Sequence, residues 1–320
     1  MAPYAQADRL GFATKTLHAD HHLLIRPEVA PSISVATTFR HPSPAEVAAA
    51  PPGHYDAKCD PFEPSRDIYL RYTQPTLTQA EAVLSSVIGQ PTIVFPNGLA
   101  ATCAILLHVI PDVIAITGED RVQVIGVDDE YPTDKKLLLF HNRTYTVSTE
   151  GSLESWLLLR SLRTLSVRIT RQVQTATKLA HWLNILTSDP KDGNQADGPI
   201  WVIQKVWHVS LQDNVDELIG AGKQMSMGTA TFAFLTTKEI YALHLGNELD
   251  LFQNATSLGG VESLVKQRLL ADENEDPHLV RFSIGLEDFE DLKADVIRGL
   301  NKVLEIEKAE RASNLTADLA

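Results

Sequence analysis

The sequence predicts an α/β protein, and three observations support that prediction. First, Thr92–Phe95 has the pattern of a buried strand that runs through Pro96-Asn97-Gly98 into a helix, Leu99 to about Val109, as at the start of an α/β unit. Second, apolar residues recur at three- and four-residue steps elsewhere in the chain, which is typical of helices. Third, further short β-branched or apolar segments are predicted as strands: 113–116, 122–127, 201–209, 231–235 and 281–284.

The predicted helices and the proline-rich segment that precedes them divide the chain into three parts. Helical periodicity is found over 77–88, along one face from Gly151 to Ala180, and over 289 to about 306. Residues 1–65 are rich in Pro and His and predict an extended arm. We therefore expect an N-terminal arm (1–65), a large domain (66–165) and a C-terminal domain (166–320).

Composition and charge limit the function classes. The 320 residues are 44% hydrophobic and 22% charged, as in a globular protein that is not disordered. The formal charge of -13, without a basic patch, argues against nucleic acid as a partner. Cys59 and Cys103 form no disulfide framework, and no leader or membrane-spanning run is apparent. We expect a cytoplasmic protein that acts on a small molecule, not on a membrane or nucleic acid.

Two segments in the first half of the chain could bind an anion. At Asn97-Gly98, a strand-to-helix turn would present free backbone amides and the positive end of a helix dipole to a phosphate, or it could be a plain connection. In Ile68–Thr76, Tyr69 and Arg71 would point the same way if the segment is extended. The tyrosine hydroxyl and the arginine guanidinium could then bind one anion together. The alternative is a surface arginine with packing tyrosines.

A third candidate lies near the C-terminus. The glycine pair in Ser257–Ser263 lets backbone approach a ligand, and Arg281 opens a short strand where it could bind a carboxylate bidentately. The alternative is an ordinary strand-end arginine. A cluster of His18, His21 and His22 suggests a metal site, but it lies in the arm without supporting carboxylates and is interpreted as a solvated loop; no metal is predicted.

These fragments, taken in order, resemble the trans-sulfuration family of pyridoxal 5'-phosphate (PLP) enzymes, of the cystathionine γ-synthase-like type. The resemblance is carried by the following segments: Phe12–His18, Ile68–Thr76, Asn97–Ala101, Gly151–Leu165, Ser257–Ser263 and Arg281–Asp288. It implies the aminotransferase-like (type I) fold, with a central large domain and a smaller C-terminal α/β domain. It also implies β- or γ-elimination or replacement on a sulfur amino acid, with γ-synthase, γ-lyase and β-lyase left as alternatives.

The same resemblance implies roles for six residues. Tyr69 and Arg71 would reach across a subunit interface to the cofactor phosphate of a neighbour, while the backbone amides of Gly98 and Leu99 would hold the phosphate in their own site. Ser257 and Arg281 match the positions that bind the substrate α-carboxylate. A homodimer or homotetramer is therefore implied.

The chain departs from the family at its reactive centre. PLP chemistry in this family needs an aromatic ring stacked on the cofactor, an Asp at the pyridinium nitrogen and a Schiff-base Lys. The Tyr-Gly-Gly element is missing after Ile114–Gly118, and the Asp strand and lysine motif are missing where Leu137–Phe140 joins His141. Roughly 80 to 100 residues are absent compared with a typical two-domain enzyme. The large domain is therefore predicted to be truncated.

No other lysine replaces the lost one. Lys178 follows Thr175-Ala176-Thr177 in an imitation of the lysine motif, but it lies in the long amphipathic helix and is predicted to be a solvated residue. Lys135 and Lys136 have acidic neighbours, which would raise a lysine pKa and oppose activation. We expect impaired catalysis. The alternatives are a non-catalytic protein that forms heteromers with an intact paralogue, or the product of a misassembled gene.

Overall fold

The computed structural model describes residues 10–23, 30–40, 42–49, 67, 69–109, 113–116, 122–125, 143, 148–187, 198–256 and 259–317. The chain forms two compact units, unit 1 (Met1–Ser166) and unit 2 (Val167–Ala320). Within the described residues, no helix is long and apolar enough to cross a membrane.

Unit 1 is mostly helical. Its elements are helices α1 (Phe12–His18), α2 (Pro44–Ala49), α3 (Pro75–Ile88), α4 (Gly98–Val109) and α5 (Ser152–Leu162), with strands β1 (Val113–Ile116) and β2 (Val122–Ile125). The two strands pair antiparallel with each other. Helix α3 begins with Pro75 as its first residue and ends at Gly89, whose φ of 78° is favourable for glycine. This helix packs on α5, and their contact holds the small apolar core of the unit: Ala19, Ala80, Val83, Leu159 and Leu162.

The predicted buried strand at Thr92–Phe95 is wrong. These residues belong to no strand, and side chains of α3 accept hydrogen bonds from two of their backbone amides. The Thr92 N–H donates to Ser85 Oγ (2.9 Å), and the Val94 N–H donates to Glu81 Oε1 (3.0 Å). The backbone amides are thus satisfied by a helix beside them instead of a neighbouring strand.

The long helical pattern from Gly151 to Ala180 forms two helices, α5 and α6 (Leu165–Ile185). Between them, the Thr164 N–H donates to the Ser161 carbonyl, three residues back, and the Thr164 hydroxyl donates to the same oxygen. A threonine hydroxyl bonded to the preceding turn competes with the helical ladder, which accounts for the break.

Unit 2 is built on a five-stranded sheet in the order β3-β4-β7-β6-β5. Its elements after α6 are β3 (Ile203–Trp207), α7 (Val215–Leu218), β4 (Thr231–Thr236), α8 (Glu239–Leu245), β5 (Gln253–Asn254), β6 (Leu264–Gln267), β7 (Leu279–Ser283) and α9 (Phe289–Ala317). All pairs are antiparallel except β5 with β6. The predicted strands at 201–209, 231–235 and 281–284 correspond to β3, β4 and β7.

The core of unit 2 lies on one face of this sheet. Side chains alternate along each strand, so Phe232, Phe234, Val280, Phe282 and Val265 are buried on the inner face. Apolar residues of helices α6, α8 and α9 cover them, including Leu179, Leu183, Leu245, Leu292, Val296 and Leu300. We call the opposite face, which carries Arg281 and the exposed Lys205 and Trp207, the open face of the sheet.

Candidate functional site

Tyr69 and Arg71 lie in a turn, not in the extended segment that was predicted. Tyr69 pairs with Thr38, and the amides of Tyr72 and Thr73 both donate to the Tyr69 carbonyl (2.9 and 3.2 Å). The turn nonetheless brings the two side chains together. The Arg71 guanidinium carbon lies 5.1 Å from the centroid of the Tyr69 ring and 5.3 Å from that of Tyr72. The two rings therefore hold the guanidinium through cation–π contacts.

A buried ion pair that was not predicted supports this turn. Arg143 donates to the Tyr72 carbonyl and to Glu81 Oε1, with 2.7 Å between Arg143 Nη2 and that oxygen. Arg143 is 3% exposed, and the hydroxyl of Thr149 donates to the Arg71 carbonyl (2.8 Å). The available sequence signal was Glu81, a charged residue among the apolar positions of a predicted helix. Its partner is 62 residues away and could not be assigned from the pattern.

Two described carboxyl groups of unit 1 have raised pKa values. Burial raises the pKa of Asp67 to about 6, against a hydrogen bond from Thr73 that lowers it. Burial also raises the pKa of Glu150, and the charges of Glu154 and Glu81 act in the same direction. Asp67 is hydrogen-bonded to Thr73 beside the turn, and Glu150 follows Thr149, whose hydroxyl donates to the Arg71 carbonyl. Both carboxyl groups with a raised pKa therefore lie near the turn.

The start of helix α4 has the geometry expected of a phosphate site. The Asn97 side chain accepts a hydrogen bond from the Ala100 N–H (2.8 Å) and caps the helix. Gly98 and Leu99 provide the first amides of the helix, which have no acceptor within it. No atom lies within 4 Å of where a Cβ on Gly98 would be, and Leu99 is 83% exposed. An anion can therefore approach these amides.

Arg281 is placed in the middle of the unit 2 sheet. It lies on β7, directly opposite Ala233 of β4 and Lys266 of β6. Its neighbours Val280 and Phe282 point into the core, so Arg281 points to the open face, where it is half-buried. Ser257, the other predicted carboxylate ligand, lies outside the described residues.

The loop that follows Ser257 is tied to the end of β7 by residues that were not predicted. Ser263 donates to Glu287 through both its N–H (2.7 Å) and its hydroxyl (2.8 Å), and it accepts from the Gly285 N–H (2.9 Å). A Cβ on Gly285 would lie 2.3 Å from the Val261 carbonyl oxygen, so only glycine allows this approach. The glycine before Leu286-Glu287 was the signal, and it indicates close backbone packing rather than ligand binding.

Unit 2 also contains a chain of polar groups that was not predicted. The buried His208 accepts at Nδ1 from the Ser210 N–H, so its proton is on Nε2, which donates to the Thr229 carbonyl (3.0 Å). The Ser210 hydroxyl lies 2.7 Å from His208 Nδ1 and 2.9 Å from His181 Nε2. Burial lowers the pKa of His208, and the charge of His181 acts the same way, against the Thr229 hydrogen bond.

The other sequence candidates lie apart from these sites. His18 and His21 face each other in the arm, with 3.2 Å between ring nitrogens, but the described part of the chain contains no group of three or more residues suited to a metal ion. Lys178 is exposed on α6, 6.0 Å from the centroid of the Phe289 ring, in agreement with its interpretation as a solvated residue. Lys135, Lys136 and the two junctions at Gly118 and Phe140 lie outside the described residues.

The residues fit PLP only in part. The open amides of Gly98 and Leu99 and the stacked Arg71 suit the phosphate, and Arg281 suits a substrate carboxylate. For the pyridine ring, the sequence provides no counterpart of the family's aromatic, Asp or Lys. Each of these groups, taken by itself, is therefore suited to an anion.

Comparison with known proteins identifies a family. The model of "Cys/Met metabolism PLP-dependent enzyme" matches residues 116–301, more than half of the chain. The chain is 27% identical over 222 residues to "Probable cystathionine gamma-synthase 2" of Arabidopsis thaliana, covering 59% of this chain and 50% of that protein. It is 32% identical over 164 residues to "Cystathionine gamma-synthase" of Escherichia coli K12, covering 47% and 38% respectively. It thus spans half or less of the length of these curated relatives.

A solved structure gives the fold. The crystal structure of metB from Corynebacterium glutamicum superposes with a TM-score of 0.67, covering 93% of this chain and 99% of that one, at 19% identity. The predicted fold class, an α/β protein of the PLP-dependent type, is confirmed.

Proposed function

The chain belongs to the Cys/Met metabolism PLP-dependent enzymes, and from that membership we propose that it recognises the anionic groups of cofactor and substrate but has little or no trans-sulfuration activity. The reaction of its type would be β- or γ-elimination or replacement on a sulfur amino acid. The cofactor of the family is PLP, which supplies an electron sink when bound.

The observation that carries this proposal is the contrast between its anion-binding elements and its missing reactive groups. Arg71 is held against two tyrosine rings, and the first amides of α4 are open. The sequence meanwhile has no counterpart of the stacking aromatic, the pyridinium Asp or the Schiff-base Lys. A site that retains positive groups but has lost its nucleophile can bind without turning over.

Each retained residue has a proposed binding role. Gly98 and Leu99 donate backbone hydrogen bonds to the cofactor phosphate, and Tyr69 and Arg71 bind the phosphate in the site of a neighbouring subunit. Ser257 and Arg281 bind the α-carboxylate of the amino acid. The proposed assembly is a homodimer or homotetramer in the cytoplasm, because Tyr69 and Arg71 act only when a second subunit is present.

A second function is favoured by the same pair. If Tyr69 and Arg71 bind the phosphate in the site of a neighbouring subunit, the chain can complete the phosphate site of an intact paralogue without catalysing a reaction itself. Tyr69 is 37% exposed and its ring holds Arg71 in position, so the pair is available to another subunit. Co-purification of the tagged chain with a full-length homologue tests this heteromer. Gel filtration that shows only the chain by itself would contradict it.

Chemical trapping tests the primary proposal. Purified chain is incubated with PLP, reduced with borohydride and digested, and the peptides are analysed by mass spectrometry. We expect no specific lysine adduct, because the sequence lacks the family's lysine motif. Stoichiometric pyridoxyl labelling of one lysine would overturn the proposed loss of the reactive centre.

A matched pair of arginine variants tests the binding role. Arg71→Gln should weaken PLP binding, followed by absorbance, roughly ten-fold, as expected for a lost charge-assisted hydrogen bond. Arg160→Gln is the control, because Arg160 is also stacked on an aromatic ring, 5.9 Å from the Trp156 centroid. Equal affinity of the two variants would exclude Arg71 from the phosphate site.

A further inference from the structure

The Ser210 hydroxyl of unit 2 lies between two histidines, and its hydrogen bonds run in one direction. His208 donates from Nε2 to the Thr229 carbonyl (3.0 Å), so its Nδ1 carries a lone pair. The Ser210 hydroxyl lies 2.7 Å from that nitrogen and donates its proton to it, while the Ser210 N–H shares the same acceptor at 3.2 Å. His181 Nε2, 2.9 Å from the hydroxyl oxygen, is then the donor of the remaining hydrogen bond.

This arrangement matches the requirements for a nucleophilic serine. A serine hydroxyl is activated by a base within hydrogen-bond distance and by a third group that orients the base. Here His208 is the base, and the Thr229 carbonyl fixes its ring in the tautomer whose lone pair faces the serine. Burial lowers the pKa of His208, so the ring is neutral at neutral pH and can accept a proton.

The surroundings hold the base in place and leave the nucleophile accessible. His208 is 3% exposed, and its ring makes a T-shaped contact with Phe232 of β4, with 6.1 Å between the ring centroids. A Cβ on Gly228 would lie 3.3 Å from His208 Cε1, so glycine at this position allows the chain to pack closely against the ring. Ser210 is partly exposed, and His181 is exposed. A small substrate can therefore reach the hydroxyl from solvent while the base stays buried.

We propose that Ser210 and His208 form a second chemical site, in which Ser210 accepts the acyl group of an activated ester. The Ser210 oxygen forms a bond to the acyl carbon, the ester C–O bond breaks, and the alcohol leaves as its anion. The hydroxyl proton passes to His208 Nδ1 and then to that anion. Water then attacks the acyl carbon and gives a proton to His208, the bond to the Ser210 oxygen breaks, and that proton restores the hydroxyl. The site uses none of the residues assigned to the cofactor or to the amino acid.

The substrate class follows from what the site provides. General-base catalysis contributes about 10²–10⁴-fold, and a donor to the oxyanion contributes about 10²–10³-fold more. The hydrogen bonds of Ser210 supply the base and place one imidazole N–H, that of His181, beside the attacking oxygen. With this assistance we expect aryl esters to react, because their leaving group is stable as an anion. Amides, whose amine must be protonated to leave, should remain intact.

Reaction of the full chain with p-nitrophenyl acetate tests the proposal. Released nitrophenolate is followed by absorbance, and samples from the first turnover are quenched in acid and digested so that mass spectrometry locates the acetyl group. Ser210 should be acetylated about 100-fold faster than Ser226, an exposed serine without a hydrogen bond to a histidine among the described residues. Equal acetylation of the two serines, with nitrophenolate release unchanged in Ser210→Ala, would overturn the proposal.

Two matched variants distinguish the buried histidine from the exposed one. His208→Gln should slow the acetylation of Ser210 about 100-fold, because the base is lost. His181→Gln should slow it less than about three-fold, because a glutamine amide can also donate to the Ser210 oxygen. A larger loss in His181→Gln than in His208→Gln would overturn the assignment of His208 as the base.

The pH profile of the wild type tests the base without a substitution in the buried core. Acetylation of Ser210 should slow as the pH falls below 6.5, the ordinary pKa of histidine, because protonated His208 cannot accept the hydroxyl proton. Circular dichroism, recorded at each pH and for each variant, separates this loss from unfolding. A rate of acetylation that is constant between about pH 5 and 8 would exclude His208 as the base.

Discussion

The two units of this chain are stabilised in different ways. Unit 2 has a continuous apolar core, from α6 across the inner face of the sheet to α8 and α9. Unit 1 has a small core where α3 meets α5, and it relies on buried ion pairs, Arg143 with Glu81 and Arg163 with Asp20. Unit 1 also contains buried side-chain atoms without a hydrogen-bond partner among the described residues, including both amide atoms of Gln74 and the side-chain oxygen of Gln79.

This difference indicates where each unit is vulnerable. An apolar core loses stability when volume is removed, and its stability depends little on pH. A buried charge is costly when its partner is lost, and the stability then depends on protonation. We therefore expect mutations of unit 2 to act through packing and mutations of unit 1 to act through charge.

The largest effect is expected from Phe282→Ala in unit 2. Phe282 is fully buried, with its ring centroid 5.0 Å from that of Phe234 and 4.5 Å from that of Phe252. Removing the ring should lower the free energy of unfolding by about 4 kcal/mol, measured by urea denaturation. Trp207→Ala on the open face is the control, and it should cost less than about 1 kcal/mol. Similar losses for both would show that the inner face is not the core.

A slightly smaller effect is expected from Arg163→Met in unit 1. Arg163 donates two hydrogen bonds to Asp20 (2.7 Å each) and one each to the Thr16 and Leu17 carbonyls. Asp20 is 0% exposed, so the variant leaves a buried charge unpaired and should destabilise unit 1 by about 3 kcal/mol.

Limited proteolysis of the arm and hydrogen exchange measure the effect of this variant. Adding Asp20→Asn should recover part of the loss, because the buried charge is then removed. Arg160→Gln, on the exposed side of α5, is the control and should change stability by less than about 0.5 kcal/mol. A double variant as unstable as Arg163→Met would show that packing, not charge, causes the loss.

Asp67 should make unit 1 more stable in acid. Its pKa in the folded state, about 6, lies above the ordinary value of 3.8. The contribution of Asp67 to the stability of unit 1 is therefore complete below pH 3.8 and is lost as the pH rises through 6. Asp67→Asn should therefore be more stable than wild type by about 1–2 kcal/mol at about pH 8 and equal to it at about pH 4. Hydrogen exchange of α3 measures this difference, and a constant difference at both pH values would contradict it.

His208 should give unit 2 the opposite dependence on pH. Burial lowers the pKa of His208 in the folded state below 6.5. Its contribution to the stability of unit 2 is therefore complete above pH 6.5 and is lost as the pH falls below that value. Unit 2 should lose stability over this window, measured by hydrogen exchange of β4, and His208→Gln should abolish that dependence. The control is His244→Gln, which removes a more exposed imidazole 3.9 Å from Glu310. If His244→Gln alone abolishes the dependence, His208 is not its source.

Local signals predicted many of the individual elements. The predicted end of helix α3 at Gly89 is confirmed by its left-handed conformation, and strands β4 and β7 lie close to the predicted positions. The prediction failed for Thr92–Phe95, where an apolar run suggested a sheet strand. The side chains of Ser85 and Glu81 accept hydrogen bonds from two of its backbone amides instead. Periodicity describes which face of a segment is apolar and does not say what its backbone will pair with.

For the candidate site, the sequence identified residue types but not their geometry. The proximity of Tyr69 and Arg71 was expected, yet it arises from a turn in which two rings hold the guanidinium. The opposition of Lys266 and Arg281 depends on strand register, which no local pattern specified.

The sequence by itself determined the family, the helical and strand periods and the candidate anion-binding residues, because these depend on short-range sterics and on motif chemistry. Only the tertiary structure decided the partners that stabilise the site. Arg143 meets Tyr72 across 71 residues, and Ser263 meets Glu287 across 24. Such contacts form only after the chain has closed long loops, so their pairing follows from packing of the whole unit and not from any one segment.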